Sequence, residues 1–231
     1  MININKFLIN KKILSKINQY RYYPKTKREL IDNMNELMRE GIYDFSCIDV
    51  TNITNMSELF SSYADYTLDI LDFSKIDISG WNVSNVRDMS DMFYSCKGFN
   101  CDLSNWDVSN VEYMDGMFYY CDKFNQDLSK WNVSKVKNMD AMFAGCKAFN
   151  SDISKWNVNN VLNMREMFSG CKKFDQDISK WNVNNVKNFI SMFENCESLC
   201  QDLECWGIAH WVAMTGMFDG CKFMDIPSWY K

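Results

Sequence analysis

Large apolar residues return along this chain at one fixed interval. Tryptophan stands at Trp81, Trp106, Trp131, Trp156, Trp181 and Trp206, and every gap is 25 residues. Cysteine follows in the same step at Cys96, Cys121, Cys146, Cys171, Cys196 and Cys221. A Met-Phe pair keeps time with both, from Met92-Phe93 through Met117-Phe118, Met142-Phe143, Met167-Phe168 and Met192-Phe193 to Met217-Phe218. Three residue types held in one register over six periods exclude chance, and such a period is the signature of stacked repeats.

Read from Leu103, one unit runs L-x-x-W-x-V-x-x-V-x-x-M-x-x-M-F-x-x-C-x-x-F-N-x-D. Trp106 and Val108 flank a polar Asp107, the alternation of a short strand. From Val111 the apolar positions are Met114, Met117, Phe118, Cys121 and Phe124. Steps of three and four predict a helical or 3₁₀ arc with one buried face. A turn around Asn125 to Asp127 closes the unit. No unit can bury its large side chains alone, whereas stacked units can, so the pattern predicts a solenoid.

The register extends beyond the perfect copies. Phe45, Ile48, Val50, Ile53, Met56, Leu59 and Phe60 occupy the same slots, with Tyr63 in place of the cysteine. Ile48 to Trp81 is 33 residues, so this unit carries eight extra, placed within Ala64 to Ile76. Asp225, Ile226 and Trp229 repeat the start of the unit, and Pro227 suits an edge strand. Eight strands are thus expected, centred near Ile48, Trp81, Trp106, Trp131, Trp156, Trp181, Trp206 and Trp229, in a stack of roughly 34 Å. Ahead of them, Thr26 and Glu29 have capping-box spacing, Leu30, Ile31, Met34, Leu37 and Met38 form an apolar stripe, and Gly41 is a stop signal. These predict a helix over about 26–41 that covers the first rung; its stripe could instead bind a partner, but a terminal cap is a routine need of solenoids and is the reading preferred. The chain divides into a basic segment, 1–43, and a repeat body, 44–231.

Composition narrows the class. In 231 residues, 47% hydrophobic and 15% aromatic content is that of a folded globular chain rather than a disordered one. Nine glycines and two prolines exclude collagen-like and Pro-rich chains, and a single histidine, His210, excludes a multi-histidine metal site or relay. The net charge of −5 is uneven: residues 1–43 hold nine basic and four acidic side chains, so +5, and the rest carries −10. The basic head, with Tyr20, Arg21, Tyr22, Tyr23 and Lys25 interleaved, could touch nucleic acid or an anionic membrane. It reads more simply as a solvated cap whose tyrosines pack on the first rung, and no nucleic-acid partner is expected. No run reaches the ~18 apolar residues of a membrane span. The first residues do not form a secretory signal, and ten cysteines suit a reducing compartment, so a cytoplasmic location is expected.

The copies WDVSNVEYMDGMF (106–118) and WNVSKVKNMDAMF (131–143) resemble the BspA-like leucine-rich repeat family, in its W-[ND]-V-S-N-V-x-x-M-x-x-M-F-x-x-C variant. The likeness covers about residues 42–231. It implies a right-handed, leucine-rich-repeat-like α/β solenoid, with parallel strands on one face, short helical or 3₁₀ arcs on the other, and an N-terminal helical cap. It also implies a binding role, since such proteins are described as bacterial surface or host-interaction proteins. That makes the cell surface or a host the alternative location. It implies no catalytic residue.

The remaining candidates for chemistry are the ladders. One cysteine per rung offers neither a tetrahedral metal set nor converging Cβ vectors for a disulfide. The six are expected reduced and buried. The Trp and Met-Phe ladders read as core. Asp102, Asp127, Asp152, Asp177 and Asp202, one carboxylate per rung, read as caps of turn amides rather than a calcium site. His210 reads as an ordinary surface or capping residue. No catalytic, cofactor-binding or metal residue is assigned, and no cofactor is expected. What is left is the outward face of each strand. The candidate partner-binding residues are Asn105, Asp107 and Ser109; Lys130, Asn132 and Ser134; Lys155, Asn157 and Asn159; and Lys180, Asn182 and Asn184. The function expected is a non-enzymatic interaction module binding a protein, or a glycan, on this face. A structural spacer without a dedicated ligand is the alternative.

Overall fold

The computed structural model describes residues 22–62, 72–209 and 211–230. The basic stretch through Arg21, Tyr63, most of the eight-residue insertion, His210 and Lys231 lie outside them. Tyr22 does pack on the first rung: its amide donates to the Cys47 carbonyl at 3.2 Å and its carbonyl accepts from the Asp49 amide at 2.9 Å.

The segment from Met to Cys organises each repeat. Met114, Gly116, Phe118 and Tyr120 donate their amides to the carbonyls of Asn138, Asp140, Met142 and Ala144 in the next copy, at 2.7–3.1 Å. The intervening amides turn back within the copy: Met117 donates to Met114, Tyr119 to Gly116 and Cys121 to Phe118. Each of these bonds spans three residues, so the segment is a run of overlapping β-turns. Two of the turns require φ > 0 at their third residue. That residue stands directly before the Met-Phe pair (Asp91, Gly116, Ala141, Glu166, Ser191, Gly216) and again directly before the cysteine (Ser95, Tyr120, Gly145, Gly170, Asn195, Gly220).

This corrects the expected fold class. A right-handed leucine-rich-repeat-like solenoid with parallel strands and helical arcs is not what forms. Among the described residues no strand longer than a single bridge is present, and no sheet. Isolated parallel bridges link Asn55, Asp88, Tyr113, Asn138, Asn163, Asn188 and Ala213 in succession, seven residues beyond the expected strand centres. The Trp-x-Val segment cannot extend because turns close on both sides of it, Trp131 donating to the Leu128 carbonyl and Val136 to that of Val133. The expected arcs cannot propagate as helix because two left-handed residues, four positions apart, reverse the backbone in each copy. Among the described residues the helical elements are α1, Lys27–Arg39, and two 3₁₀ turns, Phe73–Lys75 and Glu204–Trp206.

α1 begins at Thr26, whose side chain accepts from the Glu29 amide at 3.2 Å. Its buried stripe of Leu30, Ile31, Met34, Leu37 and Met38 joins the hydrophobic core of the repeats. Lys27 on its first turn donates to the Ser57 carbonyl at 2.9 Å.

The burial pattern read from the periodicity does hold. Trp131 and Val133 are buried with Asn132 exposed between them, and Val136, Met139, Met142, Phe143, Cys146 and Phe149 follow inside. Phenylalanines of successive copies stack nearly parallel, Phe93 to Phe118 to Phe143 at 5.5 Å and Phe143 to Phe168 to Phe193 at 5.8 Å. Burying such rings contributes about 2–3 kcal/mol each.

Two ladders add polar bonds to this core. Each ladder tryptophan donates its indole N–H to a carbonyl of the preceding copy, Trp131 to Leu103 and Trp156 to Leu128, both at 3.0 Å. Each ladder cysteine donates its thiol likewise, Cys146 to the Phe118 carbonyl at 2.9 Å and Cys171 to that of Phe143 at 3.0 Å. The ten cysteines are free. Five of the ladder six are buried, and Cys221, expected with them, is half-buried. Burial pushes its thiol up to about 11.

Trp131→Ala should cost about 3–5 kcal/mol in urea melts, as large cavities do. Trp131→Phe, which keeps a ring but removes the donor, should cost less, about 1–2 kcal/mol. No loss in Trp131→Phe would mean that the indole bond to Leu103 contributes nothing. Opposite signs are expected in the first left-handed column. Ala141→Gly relieves a left-handed alanine and should gain up to about 1 kcal/mol. Gly116→Ala should lose about 1–3 kcal/mol, since its φ is +60° and a Cβ there would meet the Asp91 carboxylate.

Candidate functional site

The D/N-x-S spacing shapes the expected binding columns. A short Asx side chain bonds the amide two residues on and makes a turn. The oxygens of Asp107, Asn132, Asn157 and Asn182 accept from the amides of Ser109, Ser134, Asn159 and Asn184 at 3.0, 3.1, 3.1 and 3.3 Å. The candidate residues therefore sit on turns rather than strands. Asn105, Asp107, Lys130, Asn132, Lys155, Asn157, Asn159, Lys180, Asn182 and Asn184 are exposed, and Ser109 and Ser134 are half-buried. Successive copies place them in columns. Asn160 and Asn185 tie the columns together, donating to the Ser134 and Asn159 carbonyls at 2.7 Å.

The aspartate ladder caps turns. Asp102, Asp127, Asp152 and Asp177 accept from the amides of Ser104, Ser129, Ser154 and Ser179 at 2.9–3.0 Å. Hydrogen bonds from these serines hold their carboxyls below the usual range. Among the described residues, no three His, Cys, Asp or Glu side chains come together as a metal site would need. No helix among them is long and apolar enough to cross a membrane.

Two depressions lie on the Met-to-Cys side, where the sequence offered no candidate. One, of about 280 Å³, is lined by Glu58, Ser61, Asp91 and Tyr94. Burial, then the charges of Asp115 and Glu58, push the Asp91 carboxyl up to about 6. The other, of about 390 Å³, runs across four copies over Gly145 and Gly170, beside Tyr119 and Tyr120. A signal for it was present in the slot before the cysteine. Ser95, Tyr120 and Asn195 carry side chains there, while Gly145 and Gly170 in succession carry none.

Opposite shifts give a two-armed pH profile. The Asp91 pKa is raised above an unfolded value of about 3.9, so its contribution is present at low pH and lost as pH rises through about 6. The ladder aspartates have depressed values, so theirs is present above about pH 4 and lost on further acidification. Urea midpoints should rise between about pH 7.5 and 5.5, then fall below about pH 4. In Asp91→Asn the first rise should vanish. Its persistence in the variant would remove Asp91 as the cause.

The family model described as "Mycoplasma protein of unknown function, DUF285" matches residues 28–145 and again 126–229. The overlapping matches are what a repeat readable in more than one register produces. No curated protein and no solved structure matches the chain. Stacked copies and matches that together run from residue 28 to residue 229 make the chain a member of this family, Mycoplasma protein of unknown function DUF285.

Proposed function

We propose that this chain is a non-enzymatic interaction module that engages an extended protein, or a glycan, through its Lys/Asn/Ser columns. The observation that carries the reading is the exposure, in register, of Lys130, Lys155 and Lys180 beside Asn132, Asn157 and Asn182. The Asx turns beneath them fix the backbone, so little order would have to be gained on binding. Near-uniform columns suit a ligand that itself repeats. The resemblance of the W-[ND]-V-S-N-V repeat to BspA-like leucine-rich repeat proteins supports a surface or host-facing binding role.

A second reading, a spacer without a ligand, draws support from the same turns. The oxygens of Asp107, Asn132, Asn157 and Asn182 are already engaged by the chain's own amides.

The lysines separate the two, because removing them leaves every turn intact. The triple variant Lys130→Ala, Lys155→Ala, Lys180→Ala is compared with the parent on arrayed proteins and polysaccharides. The module reading expects saturable binding that weakens about tenfold or more in the variant at an unchanged melting temperature. No saturable binding leaves the spacer, and binding indifferent to the lysines removes the columns as the binding face.

A further inference from the structure

The groove over Gly145 and Gly170 has a physical origin that sets it apart from the columns. In the slot before each cysteine the backbone is left-handed, and a side chain there leans onto the next copy. A Cβ built on Gly145 would lie 2.9 Å from the Tyr120 ring, and one on Gly220 would lie 2.4 Å from the Asn195 amide oxygen. Those two glycines make room for the residue before them. Gly170 does not: a Cβ there would meet only the Gly145 backbone, at an ordinary 3.6 Å. With glycines in two successive copies, the column is interrupted between Tyr120 and Asn195, and the interruption is the groove.

Its lining combines an aromatic wall with balanced polar groups. Tyr119 stacks on Tyr94 at 4.5 Å and meets Tyr120 edge-on at 4.6 Å, so Tyr120, nearly half exposed, is held by its neighbours. Burial and the adjoining tyrosines keep the Tyr119 hydroxyl protonated, pushed up to about 12. Charges of both signs are present and largely cancel. Glu166 pairs with Arg165, and Glu197 pairs with Lys172 and Lys222. That leaves Lys147 and Glu194, one of each sign, with Ser169 and Asn195 adding neutral donors and acceptors. A cationic or anionic ligand would meet like charge as often as opposite charge. A ligand with an apolar face for the ring and many hydroxyls for a mixed donor and acceptor rim meets no such conflict. The volume lies within the ~300–1,000 Å³ of small-molecule sites.

We propose that this groove is a binding subsite for a neutral saccharide, with the Tyr120 ring as its platform and Glu194, Asn195 and Lys147 reaching its hydroxyls. It shares no residue with the Lys/Asn/Ser columns and stands or falls apart from them.

The test titrates neutral trisaccharides (maltotriose, cellotriose, laminaritriose and tri-N-acetylchitotriose) into the full chain by calorimetry and saturation-transfer NMR. The matching insoluble polymers are used in sedimentation, so that free sugar and polymer chain are told apart. Two variants address the groove. Gly170→Asn fills it with a residue that the same column already carries at Asn195, where φ is +59°. Tyr120→Leu removes the platform. At least one sugar, free or as polymer, should bind the parent and lose about tenfold or more in both variants, with unfolding midpoints unchanged for Gly170→Asn. The triple lysine variant of the columns should bind it as the parent does. Failure of every sugar to bind, equal binding by Gly170→Asn, or preferential binding of spermidine or inorganic phosphate at the groove would overturn the proposal.

Discussion

Four amides in every copy must reach carbonyls in the next, and they must do so at alternate positions, as at Met114, Gly116, Phe118 and Tyr120. A strand would supply that alternation by extension. This chain supplies it by turning: the amides between the donors fold back three residues, and two left-handed residues per copy keep the donors pointing the same way. The backbone therefore advances by 25 residues per copy while staying compact, and among the described residues only Asn35 Oδ1 and Asp140 Oδ1 are buried side-chain oxygens or nitrogens without a hydrogen-bond partner. Left-handed conformation costs a non-glycine residue roughly 1–2 kcal/mol. Asp91, Ala141, Glu166 and Ser191 accept that cost in one column and Ser95, Tyr120 and Asn195 in the other, because the next copy's carbonyls wait in fixed places.

The choice of core residues follows from the carbonyls this turning leaves over. The Phe118 carbonyl accepts its own turn amide, from Cys121, and still has a lone pair facing the core. The Cys146 thiol of the next copy takes it. The Leu103 carbonyl likewise accepts the Trp106 amide and then the Trp131 indole. A purely apolar side chain in either slot would leave a buried acceptor half satisfied. Tryptophan and cysteine are apolar enough for the interior and carry one donor each. Their strict recurrence is thus a hydrogen-bonding requirement as much as a packing one.

What could be read in advance divides along the same line. The buried set, from Trp131 to Phe149, was legible because burial depends on which residues are apolar and at what interval. The backbone was not. Trp-x-Val alternates as a strand does, and Met-x-x-Met-Phe-x-x-Cys steps as a helix does, yet both are turns. Turns spanning three residues produce the same side-chain spacing as a helical arc, and the deciding feature, a positive φ at Ala141 or Glu166, falls on residue types that do not announce it. The N-terminus of α1 was easier, since Thr26 and Glu29 are local capping signals. Of the binding columns, exposure was legible at Lys130, Lys155 and Lys180. The Asx bonds beneath them follow from the D/N-x-S spacing, which the alternation reading passed over.

The groove was missed for a related reason. Searching for chemistry means searching for reactive residues, and here the informative positions are two that carry no side chain. The Trp and Cys slots in these repeats are bound to one residue type by volume and by a carbonyl awaiting a donor. The slot before the cysteine is bound only by its left-handed φ and by whatever leans on it from the copy before. Serine, tyrosine, glycine and asparagine all satisfy that, and each choice raises or lowers the surface by one side chain without disturbing the stack. A fold whose interior holds its Trp and Cys slots fixed thereby keeps a column in which relief can change from copy to copy. Gly145 follows Tyr120 because the ring needs the space, while Gly170 follows Gly145 with no ring above it. Steric need accounts for the first glycine and not for the second, and the second is the one that opens the surface into a site.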